Sequence, residues 1–414
     1  MIRASSLIYA IVIALVLAIL SSSVILFQYF KVIESENDLL DSQLRLNVIS
    51  AINYVLVTND YTVPSDNRIR LYGVANDSVY IHIEKWGILD LLTTIASSGG
   101  HSFSKTALTG ELFDKKNNPA LYLADNNSPL ALCGKTVIKG NCSLPKSGVK
   151  RAYIEGQNFI GNQLIDGTTT VSSSALPPID KNFLDFVDKI TNYIPSESDS
   201  IISFPSVTNA FCPFADQNHV IFSSEALRLS SCHYEGKIII VSKKEIEITN
   251  NSALKDVIIC APKIVVDDDF TGSLQAYASD SIYIGKNVKL NYPSSISTIS
   301  DNRTKHPSII IDEGSSLAGT IIMNDGFDPI NKSINLSLEK NTLVTGTVYC
   351  NGIVNMKGSI IGSIYCDLFM LKTPSAVYEN NMLNSTIDIS KVPDGFSMKN
   401  FLNAKSQRRI IKWE

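Results

Sequence analysis

The sequence predicts a mainly β protein in which a long N-terminal helix and a small α+β domain precede a stack of short parallel strands. Two observations carry this prediction: an uncharged apolar segment near the N-terminus, and β-branched runs that recur between residues 246 and 366. A near-constant repeat with surplus residues in some turns is typical of a solenoid. The runs begin 18, 18, 27, 25 and 19 residues apart, at Ile246, Ile264, Ile282, Ile309, Ile334 and Ile353.

The first element is an apolar segment that begins at Leu7, ends at Phe27 and contains no charged residue. Its length suffices to cross the hydrocarbon core of a bilayer as a helix. We therefore predict a cytoplasmic stub over residues 1–6 and a transmembrane helix over 7–29. Arg3 precedes the segment, which favours a cytoplasmic N-terminus and a periplasmic or extracellular location for the rest of the chain. A cleaved signal peptide is the alternative, although its apolar region is usually shorter.

The helix is predicted to continue to about Thr58, because residues 1–58 contain neither proline nor glycine. At 1.5 Å per residue, such a helix is roughly 80 Å long. Its second half carries an apolar stripe at helical spacing, formed by Leu40, Leu44, Val48, Ile52 and Val55. This stripe is expected to lie on a small sheet within residues 30–128, with strands near 69–72, 79–85 and 121–123.

A long N-terminal helix followed by a small sheet resembles the type IV pilins and pseudopilins. The resemblance implies an envelope subunit whose residues 7–27 both span the bilayer and contact related subunits. The chain departs from the pilin pattern at the processing site, where Ala4, Ser5 and Ser6 replace the expected glycine, and no acidic residue lies within the apolar run. An ordinary signal anchor followed by a juxtamembrane helix is the alternative.

Residues 129–390 are predicted to form the stacked coils. Gly272, Gly319, Gly346 and Gly362 each stand ahead of the second strand of a repeat, which indicates a corner that needs positive φ or close backbone approach. Stacking would place Ile264, Ile282, Ile309, Ile334 and Ile353 in one buried column. The pattern resembles the right-handed parallel β-helix family, and an irregular β-sandwich is the alternative.

Two segments depart from the repeat. Residues 180–194 have a helical apolar pattern, with Asp180 as the cap and Pro195 as the stop. We therefore predict a helical insertion at 177–235 that covers one side of the stack. Residues 391–414 are polar and basic at the end, which predicts an irregular C-terminal cap or tail.

Seven cysteines and five acidic residues are the candidates for chemistry. Exposure to an oxidising compartment would permit disulfides, and the candidate pairs are Cys350 with Cys366, Cys212 with Cys232, and Cys133 with Cys142. Cys260 is left over. Buried free thiols are the alternative for each pair.

Zinc is disfavoured at Cys212, His219, Cys232 and His233 because no C-x2-C pair exists. An acidic ladder of calcium-binding or catalytic carboxylates is a further hypothesis, although such runs are more often solvated turns. Its members would be Asp267, Asp268, Asp269, Asp280 and Asp312.

The favoured function is that of a membrane-anchored structural or assembly subunit, either a pilin-like component of a secretion or pilus-type apparatus or a cell-surface scaffold. The sequence predicts no enzyme and no cofactor. Its net charge of −4 provides no basic field for nucleic acid. The expected partners are the lipid bilayer and other envelope subunits. The alternative is an anchored β-helix that binds or cleaves carbohydrate, with polysaccharide as its partner. A scaffold that polymerises end to end is a third hypothesis, which the predicted insertion disfavours.

Overall fold

The structure, a computed structural model, describes residues 4–58, 68–71, 78–197, 199–299, 307–324, 335–398 and 407–413. It is mainly β with one long N-terminal helix, as predicted. The chain forms two compact units: residues 1–83 with 92–105, and residues 84–91 with 106–414. The domain boundary predicted near residue 128 does not coincide with this division.

The N-terminal helix and four strands begin the fold. Strands β1 and β2 pair antiparallel, and the sheet continues in the order β1, β2, β3, β4. Gly99 and Gly100, both with positive φ, form the tight turn between β3 and β4. The elements are α1 Ala4–Thr58, β1 Arg68–Arg70, β2 Ser78–Trp86, β3 Leu89–Ser98 and β4 His101–Leu112.

Eight short strands and one helix follow. The helix begins where predicted, because the Asp180 side chain accepts a hydrogen bond from the Asn182 amide, and it ends at Thr191. The elements are β5 Leu121–Leu123, β6 Leu130–Cys133, β7 Val137–Lys139, β8 Cys142–Leu144, β9 Val149–Arg151, β10 Tyr153–Ile154, β11 Gln157–Asn158, β12 Thr169–Val171 and α2 Lys181–Thr191.

The remaining strands include the repeats singled out in the sequence. A 3-10 helix, Ile389–Lys391, interrupts them near the end. The strands are β13 Ser200–Ile201, β14 Asn209–Cys212, β15 His219–Ser223, β16 Leu227–Leu229, β17 His233–Gly236, β18 Ile238–Ser242, β19 Glu245–Ile248, β20 Ala253–Val266, β21 Thr271–Ile284, β22 Lys289–Ile299, β23 Ser308–Ile311, β24 Ser316–Asn324, β25 Leu336–Leu338, β26 Leu343–Met356, β27 Ser359–Lys372, β28 Val377–Glu379, β29 Asn381–Leu383, β30 Thr386–Asp388, β31 Ser397–Met398 and β32 Arg408–Trp413.

Twelve strands form one continuous parallel ladder, which we call the long sheet. Its order is β13, β15, β18, β20, β21, β22, β24, β26, β27, β5, β8, β12. At about 4.8 Å per strand, the ladder is roughly 53 Å long. Parallel pairing throughout this ladder argues against the irregular β-sandwich given as the alternative, because sandwich sheets are antiparallel.

The ladder corrects the predicted insertion at 177–235. Strands β13 to β16 and all but the last residue of β17 lie in that segment. They pair in parallel with one another or with strands of the repeat region and belong to the same sheet system. Strand β5 was predicted to belong to the small N-terminal sheet, but it pairs with β27 in the ladder. Strands β8 and β12, which come early in the predicted stack region, follow β5 at the far end. Hydrogen bonding between coils is independent of chain order, so short early strands can be added after late ones.

The predicted column of isoleucines is largely present. Ile246, Ile264, Ile282 and Ile309 occupy consecutive positions of one ladder. The column continues through Leu336 and Val354, not through Ile353, which instead pairs with Leu368. The register between β26 and β27 also shifts, between Cys350 and Ile353. Ile334 lies outside the described residues.

The glycine prediction is confirmed. Gly319, Gly346 and Gly362 are neighbours in register and have φ values of 154°, 132° and 149°. A Cβ on each would come within about 2 Å of the carbonyl oxygen of the preceding coil. Gly272 does not need positive φ, but a Cβ there would lie 2.6 Å from the Leu254 carbonyl oxygen.

The C-terminal segment is more regular than predicted. Strands β31 and β32 both pair antiparallel with β4. The Arg408 guanidinium forms an ion pair with Asp90, a buried residue that also pairs with Lys85. These pairings place the last residues in a sheet, so the prediction of an irregular tail is wrong for the described part of 391–414.

Candidate functional site

The first candidate surface is the exposed part of α1. Every large apolar side chain from Leu7 to Phe30 is exposed. Leu15 and Ile19, for example, are 58% and 59% exposed. The helix is long and apolar enough to cross a membrane. An apolar surface that extends around a helix over this length is suited to lipid or to the apolar faces of other helices.

The second half of α1 has a different character. Leu44, Val48, Ile52 and Val55 are each at most 1% exposed, and Leu40 is partly buried, as the predicted stripe requires. Polar contacts fasten the same stretch to the start of β4. The Asp41 carboxylate lies 3.1 Å from His101 Nδ1, and the Arg45 guanidinium lies 4.8 Å above the ring of Phe103. The first half of the helix is therefore apolar on all sides, whereas the second half is amphipathic and packs its apolar stripe against other residues.

The second candidate surface is the outer face of the long sheet, where three tyrosines form a ladder. Tyr349, Tyr365 and Tyr122 are partners in register on β26, β27 and β5. The ring centroids of Tyr122 and Tyr365 are 5.9 Å apart, and those of Tyr365 and Tyr349 are 6.3 Å apart. Burial raises the pKa of the Tyr349 and Tyr365 hydroxyls. Stacked aromatic rings on an open sheet would suit a sugar or an aromatic ligand.

Residues 173–197, which we call the return segment, cover that ladder. Ser173 Oγ lies 3.0 Å from the hydroxyl of Tyr122, and the Tyr349 hydroxyl donates to the Pro177 carbonyl oxygen at 3.0 Å. Further along, Phe186 of α2 packs edge-to-face on Tyr277. The segment thus runs from the β12 end of the long sheet back to β13 at the other end. The tyrosines pack under the chain itself and are not free for a ligand.

A second cover lies at the turn between β2 and β3. The Trp86 indole donates to the Asp256 carbonyl oxygen at 3.2 Å. The Gln275 side chain on β21 completes the contact, accepting from the Ile88 amide and donating to the Trp86 carbonyl oxygen. Trp86 is 2% exposed. Other parts of the chain therefore cover the outer face of the long sheet over much of its length, and most side chains on that stretch are buried.

An open groove of about 660 Å³ lies beside α2. Both signs of charge and several neutral polar groups line it, so it does not select a particular charge. Its polar lining includes Lys181, Asp185, Asp188, Lys243, Ser279 and Asn324.

A buried acid, Asp367, stands apart from these surfaces. It is 4% exposed, and its Oδ2 has no hydrogen-bond partner among the described residues. Burial raises its pKa from 3.8 to about 7, although a backbone hydrogen bond at Gly352 opposes the shift. It lies beside the register shift between Cys350 and Ile353. Sequence reasoning missed this residue, but a signal existed, because it is an acid within a long apolar run of β27.

The acidic residues proposed as a ladder have local structural partners. Asp268 Oδ1 accepts from the Lys286 amide, Asp269 Oδ1 lies 3.2 Å from Asn287 Nδ2, and Asp312 accepts from the Tyr283 hydroxyl. Asp267 and Asp312 lie at equivalent corners, but Gly285 occupies the intervening coil. Asp280 accepts a hydrogen bond from its neighbour Ser279. In these contacts the acids act as residues of the coil corners.

The cysteine predictions are corrected. All seven cysteines are buried thiols, and none of them forms a disulfide. Cys350 and Cys366 are neighbours in register, but adjacent parallel strands direct their side chains the same way, which does not suit the geometry of a bridge. The partner of Cys212 in register is Gly236, which lies four residues after Cys232. Four residues of strand span about 13 Å, so Cys232 is too far from Cys212 for a bridge. Cys133 and Cys142 belong to different ladders, the former with β29 and the latter with β5.

No metal-binding group of three or more His, Cys, Asp or Glu side chains occurs within the described ranges. Cys212 Sγ donates to the Gln217 carbonyl oxygen at 3.3 Å, and His233 lies 4.0 Å from Glu235. His306 lies outside the described residues.

Comparison with known proteins finds no matching family model, curated protein or solved structure.

Proposed function

We propose that the protein is a membrane-anchored structural subunit of the cell envelope, similar in plan to a pilin or pseudopilin. The observation that carries the proposal is α1, a single uninterrupted helix of 55 residues. Its first half is apolar on all sides and exposed, whereas its second half buries a stripe from Leu44 to Val55. A simple anchor requires only about 20 apolar residues and no docked continuation.

The proposal assigns each part of the chain a place. Arg3 and the amino terminus remain in the cytoplasm, the segment from Leu7 to Phe27 crosses the bilayer, and the remainder lies in the periplasm or outside the cell. The parallel coils after residue 120 are proposed to form a right-handed β-helix, the handedness that parallel crossovers adopt in nearly all cases. Such a domain would act as a rigid projecting body.

Carbohydrate binding or cleavage remains the alternative function. The groove beside α2 favours it, because neutral polar and charged groups line an opening of about 660 Å³. The tyrosine ladder does not favour it, since the return segment covers Tyr349 and Tyr365. The structural subunit is the better supported of the two.

Charge placed in the apolar half of α1 tests the membrane anchor. We expect the double substitution Leu15→Arg and Ile19→Arg to move most of the protein out of the alkali-resistant membrane fraction, since an arginine at the centre of a span costs about 3 kcal/mol. The matched control is Leu39→Arg with Leu46→Arg, at exposed positions of the docked half. That control should stay in the membrane. Equal retention of both variants would contradict the anchor.

Cross-linking tests the assembly role separately. Single cysteines introduced at Leu7, Val16 or Phe27, oxidised in native membranes, should cross-link to neighbouring subunits if the span is also a contact surface. The wild-type chain is the control, because its seven cysteines are buried. A protein that is retained in the membrane but never cross-links from any of these positions is an anchored monomer, and the pilin-like role then fails.

A further inference from the structure

The two edges of the long sheet are β12 and β13. Within the described residues, β12 pairs only with β8 in this ladder, and β13 pairs only with β15. An edge strand presents unpaired amide and carbonyl groups, which makes it a template for another strand. What covers each edge therefore determines whether the stack ends there.

The β12 edge is open. Residues 168–171 are all exposed, and Val171 is 70% exposed although its partner in register, Leu144, is 2% exposed. The Ser172 amide donates to the Leu144 carbonyl oxygen, and the Cys142 amide donates to the Thr168 carbonyl oxygen. In a parallel ladder these bonds use alternate residues, so the backbone groups of Thr169 and Val171 are directed away from β8.

The β13 edge has the complementary arrangement. The Ser200 amide donates to the Asn218 carbonyl oxygen and the Ile202 amide to the Val220 carbonyl oxygen. The backbone groups of Ile201 therefore face away from β15. The side chain of Ile201 is 56% exposed, and that of Phe211 on the neighbouring edge strand β14 is 58% exposed. Exposed apolar side chains thus accompany the free backbone groups at both ends.

We propose that the chain associates head to tail with a second copy of itself, β12 of one copy pairing in parallel with β13 of the next. This goes beyond the proposed membrane role and does not depend on it. Both edges belong to the same ladder, so they share strand direction, and the outward amide and carbonyl groups of one edge can pair with those of the other. Pairing of different edges is heterologous, and repetition of one such step produces an open filament.

The register of the joint follows from the ladder. Thr169 stands in the column of Cys142, which continues through Ile364 to Ile240 and Ile221. Residue 202 stands in that column at the opposite end, since Ile201 pairs with Val220. If the next copy continues the same column of register partners, Thr169 lies beside Ile202 of that copy. The exposed neighbours Thr168 and Ile201 are then opposite each other.

Cross-linking of the full-length chain in detergent with a short bis-maleimide tests this joint, because such a linker joins thiols that lie side by side without requiring disulfide geometry. We expect the double variant Thr168→Cys with Ile201→Cys to form a series of dimers, trimers and longer species on a denaturing gel. Each single variant should remain monomeric, because the joint contains one residue of each kind. Dimers from Thr168→Cys alone would indicate two-fold pairing of β12 edges and would overturn the head-to-tail joint.

A charge at the open edge provides a second test without new cysteines. We expect light scattering to show large species for the wild-type chain, and Val171→Lys should remove them, because edge lysines oppose strand addition. Val171→Thr, which keeps a β-branched side chain, should retain them. A monomeric wild-type chain that also gives no cross-link in the double variant would refute the proposal, whatever the outcome of the membrane-retention experiment.

Discussion

Replacing Gly346 by alanine is expected to destabilise the stacked coils by at least about 4 kcal/mol. Gly346 has a φ of 132°, and a Cβ there would lie 2.0 Å from the Gly319 carbonyl oxygen. The obstructing atom is backbone, so no side-chain rotation can relieve the overlap. The two coils would have to separate, which breaks the parallel hydrogen bonds between β24 and β26.

Urea denaturation followed by the fluorescence of buried Trp86 would measure the change. The matched control is Gly148→Ala, because Gly148 also has positive φ, 70°, but nothing lies within 4 Å of its Cβ position. That variant should lose only about 1–2 kcal/mol, the cost of a left-handed backbone for a residue with a side chain. Equal losses for the two variants would show that close approach between coils is unimportant.

The pH dependence of stability is expected to change when Asp367 becomes asparagine. Burial raises the pKa of this carboxyl from 3.8 to about 7 in the folded protein. Because the pKa of the carboxyl is higher in the folded than in the unfolded state, its protonated form contributes to the unfolding free energy. That contribution is fully present below about pH 4 and is lost as pH rises through about 7. This pKa shift corresponds to a loss of about 4 kcal/mol in the free energy of unfolding.

Asparagine cannot ionise and is close in size to aspartate. We therefore expect Asp367→Asn to be more stable than the wild-type chain at pH 8, and the advantage to disappear near pH 4. Thermal unfolding at both pH values would measure it. The control is Asp185→Asn on the exposed side of α2, where a surface substitution should change the unfolding free energy by no more than about 0.5 kcal/mol. A wild-type chain at least as stable as Asp367→Asn at pH 8 would contradict the prediction.

These two residues show how unevenly the sequence reveals its important positions. Gly346 belongs to a repeated pattern, so its role was predictable from spacing alone. Asp367 belongs to no pattern, and its environment depends on a register shift between β26 and β27. An acid within an apolar run was visible, but the lack of a hydrogen-bond partner at its Oδ2 atom depends on residues that are distant in sequence.

The predicted site residues illustrate the same limit. The acids from Asp267 to Asp269 lie at coil corners, and their hydrogen bonds go to neighbouring corners. The cysteine pairs were inferred from similar motifs and short separations, which indicate proximity but not the direction of a side chain. Cys350 and Cys366 are adjacent and nevertheless point the same way from parallel strands.

The sequence by itself determined the elements whose signals are local and periodic. These are the continuous helix α1 with its buried stripe, the cap of α2 at Asp180, the recurring strands and the glycine corners. Each depends on residues only a few positions apart, or on a repeat that every coil obeys. The physical cause is that helical and strand periodicities are set by the backbone itself.

Only the tertiary structure decided the order of the coils. Strands β5, β8 and β12 precede the repeats in sequence but follow β27 in the ladder, and the return segment connects the two ends. No local signal distinguishes this order from a simple sequential stack, because any strand edge can pair with any other of suitable length and burial. The choice is made by the sum of long-range contacts, including the rings of Tyr122, Tyr349 and Tyr365, which come together only after the chain has folded.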